Sequence, residues 1–527
     1  MIRVAVLQIE SQLEPAAAVS LCARLIDRAV VEQTAQIVLF PELPAHDDEL
    51  GAGESRLAAE LSTLAARHAI WVLGSLTVAG TPVCLWADPT GQINARPCSD
   101  LEQTGAGVFL AESALITTPH GQIGLCAGPG ALRSKVTRAL TLAGARLVCT
   151  SLASSLPRAL GLHPAARALE NQVFVAVSSL RTEPERPYPA HMETLPPHPH
   201  GADAARSHCQ IVGPSGQLLE LTACAEGAIS VAELELTLPE PESDAEQTSP
   251  SAPSGARRAG HLRGLWSHAD SQDRGDVARE LTVATLTIVR EGSLDETLLR
   301  THEQVRELVK QGVSLVVLPE LFCFEPELSE PEKAAEEFVS VVRALASACR
   351  QSATHVVTSL VERVKDQYFH TGVAIGQGGI VVRQVQLTAT NRLLWATAGR
   401  RVQTARLPWG RLGLCLGEDA LLPEFAHSLI QSGVDVLAAP LAAGCVTRAA
   451  MTLPAMAEEG GYGVVAALAA GANGADSPGE SDAGAHSGRV ARGFIVDPSQ
   501  SQLQVATEIE LGLQASLDLA ALRTARE

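Results

Sequence analysis

Lysine is scarce in this chain: among 527 residues only Lys135, Lys310, Lys333 and Lys365 carry an ammonium. Positive charge is short overall, with 40 Lys and Arg against 59 Asp and Glu and a net charge of −19. Nucleic acid and anionic membrane surfaces need basic patches, so neither is expected as a partner. Long apolar runs are absent too. Gly, Pro or charge interrupts every hydrophobic stretch before the roughly 20 residues that a membrane span needs. The opening MIRVAVLQIE reads as an alternating strand, not as a basic-then-apolar leader. The eleven cysteines, an odd number, show no repeated CxxC spacing. That argues against a disulfide framework and for reduced thiols in a cytoplasm, most of them small core residues. No glycine loop of the phosphate-cradling kind is found, and no cofactor is expected.

What is present is a repeat. Val38 to Leu43 reads VLFPEL and Val316 to Leu321 reads VVLPEL, each an apolar run closed by Pro-Glu. Their glutamates, Glu42 and Glu320, stand 278 positions apart. A chain of this length suits two domains of about 250 residues, and 46% hydrophobic residues supply a core for each. The expected division is domain 1 over 1–238, a disordered linker over 239–277 and domain 2 over 278–527. The linker is rich in Pro, Glu, Ser, Arg and Gly, with an acidic start and a basic middle. Two polar inserts, Thr182 to Ser207 and Gly471 to Ser487, read as mobile loops.

The halves overlay in order. Arg3 to Gln8 matches Thr282 to Thr287 as an alternating strand. Helical stretches follow over Ala16 to Gln33 and Asp295 to Gln311, with apolar residues at three-to-four spacing. After each Pro-Glu comes a second helix, Glu54 to His68 and Glu332 to Ser352. Strands Ile70 to Val78 and Thr354 to Val361 come next, then glycine turns at Gly91 and Gly379. Alternation of strand and helix throughout predicts an α/β sandwich.

Four further pairs fix a resemblance. Gly121-Gln-Ile-Gly-Leu-Cys126 parallels Gly410-Arg-Leu-Gly-Leu-Cys415. Gly144-Ala-Arg-Leu-Val148 parallels Gly433-Val-Asp-Val-Leu437. Arg167 to Val177 is echoed by Glu459 to Leu468, and Ile211 to Gly216 by Ile495 to Pro498. Each half thus resembles a domain of the carbon–nitrogen hydrolase, or nitrilase, superfamily. The resemblance implies two α-β-β-α sandwich domains arranged as a pseudo-dimer.

It also implies a chemistry of three groups. A cysteine thiolate attacks an amide or nitrile carbon, a glutamate acts as general base, and a lysine steadies the anion. Glu42 and Glu320 match the glutamate. The lysine belongs about eight residues after the turn glycine, which gives Ser99 and Leu387. Arg96 and Arg383 are near, but a guanidinium fork replaces a compact ammonium poorly. The register of Gly413-Leu-Cys-Leu-Gly417-Glu418-Asp419 puts Gly417 in the nucleophile slot, and the same count from Gly124 gives Gly128. Both lysine and cysteine positions therefore read as lost in both halves. Cys126 and Cys415, two residues earlier on the same strand face, are either relocated nucleophiles or core thiols. Glu418 and Asp419 are expected to cap the helix that begins near Leu421. His191, His198, His200 and His208 fit no structural zinc spacing and read as a solvated loop, so no metal is expected.

The expected function is that of a catalytically degenerate homologue that binds, scaffolds or regulates. Its partner would be an unknown protein or a small-molecule ligand, beyond the pairing of its own two domains or in a further oligomer. The alternative is an active amidase of the superfamily, cleaving a small C–N substrate with relocated groups.

Overall fold

The computed structural model describes residues 1–11, 13–44, 56–98, 115–128, 130–153, 162–181, 209–221, 228–236, 278–288, 290, 292–325, 328–388, 390–442, 445–469, 493–500, 502–506 and 512–524. The linker, both polar inserts and the four histidines lie outside the described residues, as does Ser99. The described residues form two compact units, 1–236 and 278–524.

The first unit runs β1 (Ile2–Leu7), β2 (Ile9–Glu10), α1 (Pro15–Gln33), β3 (Ile37–Pro44), α2 (Arg56–His68), β4 (Trp71–Val78), β5 (Thr81–Ala87), β6 (Ile93–Pro97), β7 (Leu115–Thr118), β8 (Gly121–Ala127), α3 (Ser134–Leu142), β9 (Leu147–Leu152), α4 (His163–Asn171), β10 (Phe174–Arg181), β11 (Gln210–Val212), β12 (Leu218–Leu221) and β13 (Ile229–Leu234). The second runs β14 (Glu280–Thr285), α5 (Leu294–Lys310), β15 (Leu315–Val317), α6 (Pro331–Glu336), α7 (Phe338–Ala348), β16 (His355–Val364), β17 (Gln367–Gly376), β18 (Gly379–Val385), β19 (Thr404–Leu407), β20 (Gly410–Leu414), α8 (Pro423–Gln431), β21 (Val436–Leu441), α9 (Val446–Gly460), β22 (Gly463–Leu468), β23 (Gly493–Asp497), β24 (Gln502–Ala506), β25 (Gln514–Asp518) and α10 (Leu519–Thr524).

Each unit holds two sheets, and the strand orders are the same. In the first unit they are β13-β1-β3-β4-β5-β6 and β12-β11-β10-β9-β8-β7, with β2 beside β10. In the second they are β25-β14-β15-β16-β17-β18 and β24-β23-β22-β21-β20-β19. Central pairs such as β1–β3 and β8–β9 are parallel and outer ones antiparallel. The central strands read as unbroken apolar runs because both faces are covered. In the first unit Val4, Leu39, Leu73, Leu125 and Leu147 fill the space between the sheets. Val38, Phe40 and Val72 face α1 and α2 instead. The second unit repeats this with Val317, Val357, Leu412 and Val436 between the sheets. Val316 and Val356 there lie under α5 and α7, and Leu437 and Val464 under α8 and α9. Both units are therefore α-β-β-α sandwiches.

The helices follow their sequence signals. α1 buries Val19, Cys22, Leu25, Ile26 and Ala29, a stripe at three-to-four spacing. α5 starts in a capping box: Glu296 N–H donates to Ser293, and the Glu296 carboxylate accepts from Ser293 N–H. The helix expected over 332–352 is two helices, α6 and α7, separated at Glu337. Among the described residues no helix is long and apolar enough to cross a membrane.

Candidate functional site

Strand β3 runs through Pro41-Glu42, whereas β15 ends at Val317, just before Pro319-Glu320. Glu320 is buried, with Oε1 paired to the Arg392 guanidinium and 4.0 Å from His370 Nε2. Its Oε2 accepts no hydrogen bond among the described residues. The backbone there is unusual: Leu321 sits at φ 46°, a left-handed conformation that a branched side chain rarely adopts. The Ser359 hydroxyl holds that turn by accepting from Leu321 N–H at 3.1 Å.

His370 sits beside the carboxylate. Its Nδ1 is 2.6 Å from Gln386 Oε1, which can only accept, so Nδ1 carries the proton. Its Nε2 then accepts from the Ser359 hydroxyl at 2.8 Å. Burial pushes the imidazole pKa down to about 4, partly offset by the Gln386 bond. It is therefore a neutral positioning group at neutral pH.

The elbow after β20 faces this glutamate. Gly417 has φ 48°, and a Cβ on it would stand 3.6 Å from Glu320 Oε2 and 3.1 Å from Gln386 Nε2. A side chain at 417 would thus project between a carboxylate and an amide. The Leu387 side chain packs in the core with Cys415, Leu422 and Phe425, away from Glu320. Gln386, one residue earlier, is the one that faces the elbow. The cation at the site is Arg392, five residues beyond Leu387, in the short 3-10 turn Asn391–Leu393. Arg383 pairs instead with Glu362 at 3.2 Å.

Asp419 does not cap a helix. Its carboxylate accepts from Leu387 N–H, Thr388 N–H and the Thr388 hydroxyl at 2.9 to 3.0 Å. Helix α8 starts at Pro423 with no side-chain cap. Asp419 instead ties the strand-exit segment 387–388 to the elbow, because two open main-chain donors outcompete a helix end that proline already relieves. Glu418 pairs with Arg448 at 3.1 Å. Cys445, just before α9, lies in the fields of Arg392, Glu418 and Arg448, and burial pushes its thiol up.

The first unit brings together the equivalent pair in a different setting. Glu42 is buried and accepts from the Thr77 hydroxyl; its Oε2 accepts no hydrogen bond among the described residues. Burial pushes its carboxyl pKa up, opposed by Thr77 and by the nearby Gly128 N–H. No cation pairs with Glu42 among the described residues. Gly128 has φ 84°, and a Cβ on it would collide with Pro82 Cγ at 2.9 Å.

Strand register shows what Pro82 replaces. Ser75 pairs with Cys84, and Ser359 with Gly372. Cys84 pairs with Arg96, and Gly372 with Gln384. Cys98 N–H donates to Pro82 O just as Gln386 N–H donates to His370 O, each at 2.9 Å. Pro82 therefore stands where the second unit has His370, and Cys98 where it has Gln386. Sequence reasoning missed Arg392, His370, Gln386 and Pro82. The paired β-hairpins could have flagged Gln386 and His370, but no sequence signal marks the reach of Arg392.

Cys126 and Cys415 are core thiols. Cys126 contacts Ala131 O, Cys149 O and Thr150 Oγ1 at 3.5 to 3.7 Å, and burial raises its pKa to about 12. Burial pushes Cys415 up as well.

The profile of the carbon–nitrogen hydrolase family matches residues 3–239 and again 281–527. A nitrilase of Pyrococcus abyssi is 26% identical over 159 residues, 28% of this chain and 58% of that protein. The chain thus spans little more than half the length of that curated relative. Among solved structures, a carbon–nitrogen hydrolase from Helicobacter pylori G27 is 21% identical, with a TM-score of 0.40 over 47% of this chain and 92% of its own. Saccharomyces cerevisiae Nit3, a nitrilase-superfamily member, is 19% identical, with a TM-score of 0.40 over 47% and 94%. With the family profile covering both sandwiches, the chain belongs to the carbon–nitrogen hydrolase family and carries its domain twice.

Proposed function

We propose that the chain is a catalytically degenerate carbon–nitrogen hydrolase homologue that acts by binding or regulation rather than by turnover. The observation that carries this reading is the bare α-carbon of Gly417 facing Glu320. Attack on an amide carbon needs a thiolate between a base and a cation, and glycine supplies no nucleophile. Loss of one member of such a unit removes most of its rate. Arg392 lies on the carboxylate itself, so the base is held in an ion pair instead of being poised to take a proton.

Domain 2 is the ligand-holding half in this reading. Glu320 Oε2, an acceptor without a donor, and Gln386 beside Gly417 suit a small neutral molecule bearing N–H donors. Domain 1, with Pro82 against its elbow, serves as the scaffold. The ten described cysteines are all free, which supports a reducing, cytoplasmic compartment. The purified full chain should release no ammonia from simple amides or nitriles. Turnover that Glu320→Gln abolishes would overturn the reading.

One observation favours a second reading. Cys445 stands near Arg392 and Arg448, both of which favour its thiolate, though burial outweighs them. An active hydrolase with relocated groups would use this thiol, and its turnover would vanish in Cys445→Ala.

A further inference from the structure

In the first unit two thiols lie within the field of Glu42. Cys84 lies on β5, and Cys98 directly follows β6. Since Cys84 pairs with Arg96, the two cysteines are diagonal neighbours on one sheet face. Their sulfur atoms stand 2.9 Å apart. A disulfide needs ~2.05 Å, so the two sulfurs are within a short approach of bonding. Cys98 occupies the place of Gln386, the residue that faces the elbow in the second unit.

The surroundings distinguish the two sulfurs. Either sulfur can donate to the other, Cys84 also reaches Leu125 O at 3.6 Å, and the N–H groups of Cys84 and Ala127 point at Cys98. These donors hold the Cys98 thiol below its ordinary pKa, against burial and the Glu42 field. Cys84 is pushed up, first by the Cys98 contact and then by burial. The two backbone donors make Cys98 the better-placed nucleophile of the pair. Core thiols elsewhere lack this arrangement: burial pushes Cys349 up to about 11 against the Arg306 field, and burial with the Glu60 field pushes Cys22 higher still.

We propose that Cys84 and Cys98 form a peroxide-reactive dithiol that closes to a disulfide at the vestigial site of domain 1. The Cys98 sulfur attacks one oxygen of a hydroperoxide. The O–O bond breaks, the departing oxygen takes the Cys98 proton and leaves as water or an alcohol, and Cys98 becomes a sulfenic acid. The Cys84 sulfur then attacks that sulfur. The S–S bond forms, the S–O bond breaks, and the hydroxyl leaves as water with the Cys84 proton. Two thiols are oxidised and one hydroperoxide is reduced. This activity lies outside the binding function proposed for domain 2 and uses none of its residues.

The test uses the reduced full chain and one equivalent of hydrogen peroxide. Cleavage before Asp88 separates the two cysteines, so a disulfide holds two peptides together in the mass spectrum. The expected result is a Cys84–Cys98 cross-link and loss of two titratable thiols, reversed by dithiothreitol. Cys98 should react about tenfold or more faster than Cys22 or Cys349, as its lower pKa requires. In Cys84→Ser, Cys98 should stop as a sulfenic acid that dimedone traps, and in Cys98→Ser neither product should form. Glu320→Gln should leave all of this unchanged. Labelling of Cys98 no faster than of Cys22 in the unaltered chain, or an unchanged thiol count, would overturn the proposal whether or not the variants fold.

Discussion

The two domains share one strand order and hold their buried glutamates by opposite means. Domain 2 keeps a tense site: Leu321 at positive φ, a neutral His370, an Arg392 lid, and an elbow whose missing side chain would point at the carboxylate. Domain 1 has relaxed. Its strand β3 runs through the Pro-Glu pair, Thr77 donates a neutral hydroxyl to one carboxylate oxygen, and Pro82 abuts the elbow. Backbone strain persists only where the surroundings enforce it. At Leu321 the Ser359 hydroxyl supplies that enforcement.

The sharpest break of this comparison is to remove the ion pair. The Glu320 side chain is 1% exposed and Arg392 is 28% exposed. Arg392→Ala leaves a buried carboxylate without its cation, which costs about 3–5 kcal/mol. Thr77→Val in domain 1 removes a neutral donor and costs about 1–2 kcal/mol. Urea titrations should separate the two variants in that order. Adding Glu320→Gln to Arg392→Ala should recover most of the loss, since no charge then remains buried. Equal effects from the two single substitutions would remove the contrast between the domains.

Acid should also tell the domains apart. Folded domain 2 protonates His370 only near pH 4, against about 6.5 in the unfolded chain. Between those values the unfolded chain binds more protons, so stability falls as pH falls from 6.5 to 4 and levels off below. The upper bound is about 3 kcal/mol. His355, whose pKa burial also lowers, adds in the same direction. Glu42 works the other way: its folded pKa is raised, so domain 1 gains stability as pH falls through it. Hydrogen exchange resolved by peptide should show domain 2 loosening first on acidification. His370→Asn should flatten its slope even if its midpoint drops.

The elbows offer a smaller contrast. Both glycines sit at positive φ, which costs an L-residue about 1–2 kcal/mol. At Gly128 a methyl group also meets the Pro82 ring at 2.9 Å, whereas at Gly417 it meets the Gln386 amide nitrogen at the looser distance of 3.1 Å. Gly128→Ala should therefore destabilise more than Gly417→Ala by about 1 kcal/mol. Pro82→Ala should rescue part of the first and none of the second, measured by the urea midpoint.

The fold was legible because it is written in local pattern. Apolar runs, Pro-Glu closures and glycine turns recur in order, and two copies of a weak signal reinforce each other. The glutamates and the Gly417 elbow were legible for the same reason, since strand spacing fixes where a residue points. The cation was not. Arg392 reaches Glu320 from a 3-10 turn, and the reach of a long side chain leaves no periodic trace. Asp419 was misread because an acid before a helix suits a cap, and only tertiary packing brings Leu387 and Thr388 N–H within its range. The substitution of Pro82 for His370 emerges only from the paired strand register.

Placing a thiol and an ammonium at the elbow is the finest test, because it asks whether domain 2 has room for chemistry. Gly417→Cys would set a thiol near Glu320 Oε2, and Gln386→Lys would bring an ammonium to the same space. Leu387→Lys would drive a charge into the core beside Phe425 instead and should unfold the domain. A cation beside a thiol lowers its pKa, so Gly417→Cys with Gln386→Lys should alkylate with iodoacetamide about tenfold faster than Gly417→Cys alone. The matching pair in domain 1, Gly128→Cys with Cys98→Lys, should gain nothing, since Pro82 occupies the space its thiol would need. Equal gains in both domains would show that domain 1 is as open as domain 2. No gain in either would show that Arg392 has closed the second site as firmly as Pro82 closed the first.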